Sequence, residues 1–113
     1  NLIVTPDMHT RKEKIVSLAD ATIALPGGVG TLEELMEIIT WKQLGLYADP
    51  IVILNTRGYF NPLKEMLERA VEEKFMREIH RNLWSIADTP RQAADLIRNT
   101  PQWDTAISKM AQM

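Results

Sequence analysis

The chain has 113 residues, 45% hydrophobic and 25% charged, with 13 Lys+Arg against 15 Asp+Glu and a formal charge of −2. That composition suits one ordinary soluble domain and lacks the basic excess that nucleic acid or an anionic membrane would require. Its longest apolar runs, such as Ile51 to Leu54, fall far below the roughly 20 residues that span a bilayer. The absence of cysteine excludes disulfides, Cys-ligated zinc and a thiolate nucleophile, and fits a cytoplasmic setting.

In chain order, Asn1 leads at once into the β-type run Leu2-Ile3-Val4-Thr5, with no Met or polar lead-in. The expectation is a piece cut from a longer chain. Thr5-Pro6 then opens a helix, because an oxygen-bearing cap precedes a proline at the first helical position. The same pairing recurs at Asn61-Pro62, Thr89-Pro90 and Thr100-Pro101, which predicts three more helix starts. Strands are predicted at Leu2 to Thr5, Thr22 to Leu25, Ile51 to Leu54 and Leu83 to Ile86. All four runs are continuously apolar or β-branched, as in strands covered on both faces. The helix after Asn61 places Leu63, Met66, Leu67, Ala70, Val71 and Phe75 on one stripe. Tyr47-Ala48-Asp49-Pro50 and Thr56-Arg57-Gly58 read as loops. The fold class is α/β, a Rossmann-like doubly wound parallel sheet, with residues 1–113 forming a single domain.

The richest segment runs from Leu25 through Pro26-Gly27-Gly28-Val29-Gly30-Thr31-Leu32-Glu33-Glu34. It joins a strand to a helix carrying Leu35, Ile38, Ile39 and Lys42. Three glycines in four positions are expected to admit positive φ and a close ligand approach. The helix start adds N–H groups and a partial positive charge that suit a phosphate. The spacing matches neither the nucleoside-triphosphate loop nor the dinucleotide fingerprint. A plainer reading stands beside this one, in which Thr31 and Glu34 form a capping box and the glycines only a tight turn. On the first helix, Arg11 shares a stripe with Met8, Ile15 and Leu18. It either snorkels to the surface, pairs with a structural carboxylate, or points over the sheet towards Glu34 or a phosphate. His9 lies off that stripe and reads as an exposed histidine.

Taken together, Met8-His9-Thr10-Arg11-Lys12, the Pro26 to Glu34 segment and Ile39-Thr40-Trp41-Lys42-Gln43-Leu44-Gly45 closely resemble the Lonely Guy (LOG) family of cytokinin riboside 5′-monophosphate phosphoribohydrolases. The resemblance covers Leu2 to Pro62 with motif quality. It implies a homodimeric enzyme that hydrolyses the N-glycosidic bond of a nucleoside 5′-monophosphate to free base and ribose 5-phosphate. By the same resemblance, Arg11 and Glu34 are catalytic. Gly27, Gly28, Gly30 and Thr31 contact phosphate and ribose; Met8 and Lys12 are candidates for the base or pocket. Members often carry the label "possible lysine decarboxylase", but neither Lys12 nor Lys42 sits in a Schiff-base context.

Family members begin with further βα units ahead of the arginine helix that this sequence does not contain, so the expectation is either that a partner chain fills the gap or that the sequence is part of a longer protein. In the strand order 3-2-1-4-5-6 they belong between the strands before Arg11 and before Pro26. The 113-residue piece alone is therefore expected to expose strand edges and to be inactive.

Chemically, a carboxylate beside the anomeric carbon stabilises an oxocarbenium-like transition state and activates water, which suits Glu34. The scheme requires no metal or redox cofactor. Trp41, Leu44, Leu46 and Tyr47 supply large apolar groups for either a core or a dimer interface. Two alternatives remain: a non-catalytic nucleotide-binding module, and a general purine or pyrimidine 5′-monophosphate nucleosidase.

Overall fold

The computed structural model describes residues 21–104. The first predicted strand and the Arg11 helix lie outside the described residues. Within them, β1 (Thr22–Ala24) leads to α1 (Val29–Gln43), β2 (Ile51–Leu54), α2 (Asn61–Glu72), β3 (Ser85–Ala87) and α3 (Pro90–Asn99). Short 3₁₀ turns occupy Thr56–Gly58 and Glu78–Leu83. The strands form one parallel sheet in the order β1-β2-β3, with Ile53 of β2 opposite both Ala24 and Ile86. This is the expected α/β Rossmann-like arrangement.

Strand periodicity sorts the core onto two faces. Ile51 and Ile53 pack on one side with Leu35, Ile38 and Ile39 of α1 and Leu67 of α2. Val52 and Leu54 pack on the other with Ala87 of β3 and Ala93 of α3. All four residues of β2 are consequently buried, which is why its sequence is apolar without alternation. The α1 stripe falls where its spacing predicts, with Leu35, Ile38, Ile39 and Lys42 all buried. Tyr47 is core as well, and its hydroxyl lies 3.1 Å from Thr22 Oγ1.

Four expectations need correction. The α2 stripe is shorter than its spacing suggests: Leu67 and Val71 are buried, whereas Met66 and Phe75 are 62% and 84% exposed. The helix ends at Glu72, and Lys74, at φ 66°, turns the chain before Phe75 can extend the stripe. Asn61 does not cap α2. Its Oδ1 instead accepts from Asn55 Nδ2 at 2.8 Å. Thr100-Pro101 opens no helix among the described residues: Thr100 closes α3, and Trp103 N–H donates to the Ala48 carbonyl at 2.8 Å. The third described strand starts at Ser85, because Leu83 ends the preceding 3₁₀ turn. Thr89 caps α3 as expected, accepting from Gln92 N–H at 3.2 Å.

That 3₁₀ turn also buries His80, whose Nδ1 accepts from Arg77 N–H at 3.0 Å. Burial, and secondarily the charge of Arg77, lowers the pKa of the imidazole below its ordinary value.

Candidate active site

The carboxyl edge of the sheet is built by two loops. After Ala24 ends β1, Leu25, Pro26, Gly28, Val29 and Gly30 are all solvent-exposed, and Gly28 is the cap residue of α1. Leu32 is the first residue to donate in the helical pattern, to the Gly28 carbonyl at 3.1 Å. The N–H groups of Val29, Gly30 and Thr31 thus have no intrahelical acceptor, the condition that makes a helix start receptive to an anion.

The glycines work differently from the sequence expectation. None of Gly27, Gly28 and Gly30 has positive φ; among the described residues that conformation belongs to Gly45 and Gly58, with Arg57 and Lys74. What distinguishes the three is space. A Cβ on Gly27 would lie 2.3 Å from Thr31 Oγ1, so Gly27 is required by the close approach of the loop to Thr31. Among the described residues, nothing lies within 4 Å of the corresponding position on Gly28 or Gly30. No contact within the described residues demands glycine there, and none of them fills the space beside the bare backbone. Gly27→Ala is therefore expected to lower stability by about 1–3 kcal/mol through overpacking. Gly28→Ala should unfold at the wild-type denaturant midpoint yet weaken phosphate binding. Equal phosphate affinity in Gly28→Ala and wild type would show that the open space is not used.

The capping-box alternative is not realised. α1 begins at Val29, two residues before Thr31, and no side-chain cap hydrogen bond is made at its start. Thr31 is a residue of the helix rather than its cap. Glu34 lies four residues after Gly30 and three after Thr31, on the same side of the helix as both. Its side chain is half-buried, and Oε1 is closed off from solvent. The carboxylate thus stands one turn behind the exposed loop. Arg11, Met8, Lys12 and His9 lie outside the described residues.

A second loop, not singled out by sequence reasoning, meets the first. Following β2, buried Asn55 opens the 3₁₀ turn Thr56–Gly58, and Tyr59 just beyond it donates its hydroxyl proton to the Gly27 carbonyl. The available signal was an asparagine directly after a fully apolar strand, followed by Gly58-Tyr59. Lys42 is far from this edge, about 12 Å further along the axis than Glu34 at ~1.5 Å per residue. It is 1% exposed. Desolvation lowers its pKa from 10.5 to about 8 against the opposing pull of Asp49. Among the described residues no group of three or more His, Asp or Glu could hold a metal ion. No helix among them is long and apolar enough to cross a membrane.

A parallel sheet whose crossover helix opens on an exposed glycine loop at the strand's carboxyl end defines a Rossmann-like α/β protein, with that loop at the edge where open α/β sheets bind ligands. The family model described as "Possible lysine decarboxylase" matches residues 1–97, and the chain belongs to that family, which includes the LOG proteins. Among curated relatives, the chain is 46% identical over 105 residues to the "Probable cytokinin riboside 5′-monophosphate phosphoribohydrolase LOGL2" of Oryza sativa subsp. japonica, covering 92% of this chain and 43% of the relative. It is 48% identical over 105 residues to the "Cytokinin riboside 5′-monophosphate phosphoribohydrolase LOG3" of Arabidopsis thaliana, covering 93% and 47%. With the "Cytokinin riboside 5′-monophosphate phosphoribohydrolase LOG7" of Arabidopsis thaliana, identity is 44% over 108 residues, covering 92% and 48%. The chain thus spans less than half the length of these relatives.

Proposed function

We propose that this chain supplies the glycine loop and catalytic carboxylate of an enzyme that hydrolyses nucleoside 5′-monophosphates to free base and ribose 5-phosphate. The observation that carries the reading is the exposed Gly27 to Gly30 loop at the start of α1, with Glu34 one turn behind it. Backbone N–H groups at that helix start hold the 5′-phosphate as a fixed handle, and binding energy there positions the glycosidic bond. Gly27, Gly28, Gly30 and Thr31 form the phosphate and ribose contacts. As the bond to the base breaks, positive charge develops on the ribose ring carbon and oxygen, and the Glu34 carboxylate stabilises it. Glu34 also accepts a proton from the attacking water, whose oxygen bonds to the anomeric carbon as the bond to the base breaks, and that proton passes on to the departing base, which regenerates the carboxylate. Arg11 orients Glu34 or a substrate oxygen, and Met8 and Lys12 border the base. These roles, and a scheme without metal or redox cofactor, rest on the resemblance. The relatives are named phosphoribohydrolases, so the decarboxylase description of the family does not describe their chemistry.

We further propose a symmetric homodimer. Leu44 and Leu46, beyond the end of α1, are 43% and 57% exposed, whereas Tyr47 from the same cluster is committed to the core. The test offers the intact protein AMP, a prenylated adenosine monophosphate and pyrimidine 5′-monophosphates, measuring released ribose 5-phosphate on the species resolved by sedimentation. Turnover of adenine nucleotides by a dimer is expected. Binding without product would establish a nucleotide-binding module, equal turnover of every base a general nucleosidase, and an active monomer would end the dimer proposal.

A further inference from the structure

Tyr59 is half exposed, contributes little to the core, and yet directs its hydroxyl to the backbone of another loop, at the Gly27 carbonyl. The Gly27–Gly28 peptide is planar and trans, so its carbonyl and the Gly28 N–H point in opposite directions within one rigid plane. Whatever holds the carbonyl therefore aims the N–H. Gly28 is the cap residue of α1, so its N–H directly precedes those of Val29 and Gly30 at the exposed helix start.

The tyrosine is itself held firmly. Asn55, 6% exposed, fixes its backbone to β3 by donating to the Ala87 carbonyl at 2.7 Å. Its side chain accepts from Phe60 N–H at 2.6 Å and donates to Asn61 Oδ1 at 2.8 Å. Between them, Gly58 N–H donates to the Asn55 carbonyl and Tyr59 N–H to the Thr56 carbonyl, each at 3.1 Å. Gly58 has φ 70°, and a Cβ there would lie 2.7 Å from Asn61 Nδ2, so only glycine closes this turn. The Tyr59 ring stands edge-on to Phe60, with centroids 5.1 Å apart and planes at 82°. The end of β2 is thus tied through a rigid turn to the glycine loop.

We propose that Tyr59 is a positioning residue that sets the aim of the Gly28 N–H and so tunes affinity for the 5′-phosphate of a nucleotide. This rests on the phosphate-binding reading of the glycine loop. The hydroxyl touches no reacting atom. Its removal misdirects one phosphate donor without touching the carboxylate.

Tyr59→Phe in the intact protein keeps the ring and its edge contact with Phe60, and its unfolding midpoint is expected to match wild type. KM for the nucleoside 5′-monophosphate, and Kd for inorganic phosphate by calorimetry, should each rise about fivefold, as expected for one hydrogen bond. In contrast, kcat and inhibition by the corresponding unphosphorylated nucleoside should stay within about twofold. Unchanged KM and phosphate Kd would overturn the role of Tyr59 while leaving the hydrolase reading intact. A wild type that binds phosphate without turnover, with binding weakened in Tyr59→Phe, would support the role of Tyr59 and overturn the hydrolase reading. Equal losses in KM and kcat with a lowered midpoint would reduce Tyr59 to a structural part, and a wild type that binds no phosphate would overturn both.

Discussion

Glu34→Gln is expected to lower base release at least a hundredfold while leaving the unfolding midpoint within about 2 °C of wild type. The substitution preserves shape, so the half-buried site keeps its packing. The negative charge is lost, and one accepting oxygen becomes a donating NH2. If Glu34 faces the developing oxocarbenium ion from a site screened from water, that charge supplies about 3–4 kcal/mol of transition-state stabilisation. The structure removes the main structural competitor, since α1 starts at Gly28–Val29 without a side-chain cap. A capping role would instead show as a stability loss of about 1 kcal/mol with activity retained. Steady-state assay of free base together with thermal melts of the same preparation separates the two. Full activity in Glu34→Gln, at any stability, sinks the catalytic assignment. Arg11→Lys, by the resemblance, belongs in the same assay because a point charge does not replace a planar fork.

The second large effect concerns stability. Lys42 is buried, and desolvation outweighs the favourable charge of Asp49, bringing its pKa from 10.5 to about 8. Between pH 8 and 10.5 the unfolded chain holds a proton that the folded chain has released. Unfolding therefore takes up a proton, and stability rises with pH across that window. At 1.36 kcal/mol per pKa unit the full rise amounts to about 3 kcal/mol. Below pH 8 both states carry the charge, and the cost of burying it is fully present. His80 bends the profile at the acid end in the same sense: its folded pKa lies below 6.5, so stability falls as pH drops below 6.5 and the unfolded imidazole takes a proton. Denaturant titrations from pH 5 to 10.5 on wild type and Lys42→Met check this. The alkaline rise should be present in the first and absent from the second. Identical slopes in the two proteins would show that Lys42 is not the group responsible.

Much of the sheet was legible from sequence because two-sided burial leaves a direct trace: a strand covered on both faces has no polar alternation, and Ile51 to Leu54 reads that way. The α1 stripe was legible for a related reason, since a 15-residue helix spans enough turns for its period to show. α2 misled at its far end. Its apolar spacing continues past Glu72, but Lys74 turns the chain, and spacing contains no record of a chain that has changed direction. Asn61-Pro62 likewise looked like a cap because local chemistry allows one. Asn55, six residues earlier, takes the same oxygen through a tertiary hydrogen bond.

For the site, the sequence by itself determined the family, the glycine loop, its place at the end of a strand and Glu34 just beyond it. Those are local features, written in consecutive residues. The tertiary structure decided how the loop is built: Gly27 is glycine because Thr31 packs against it, Gly28 and Gly30 leave space that no described residue fills, and none has positive φ. It alone brought Tyr59 to Gly27 across 32 positions of chain. Lys42 follows the α1 stripe into the core at 1% exposure, but the pull of Asp49 on it is a tertiary matter. Contacts of that kind follow from the parallel crossover, which sets the loops after β1 and β2 side by side at one edge of the sheet, and no local pattern encodes which residues then meet.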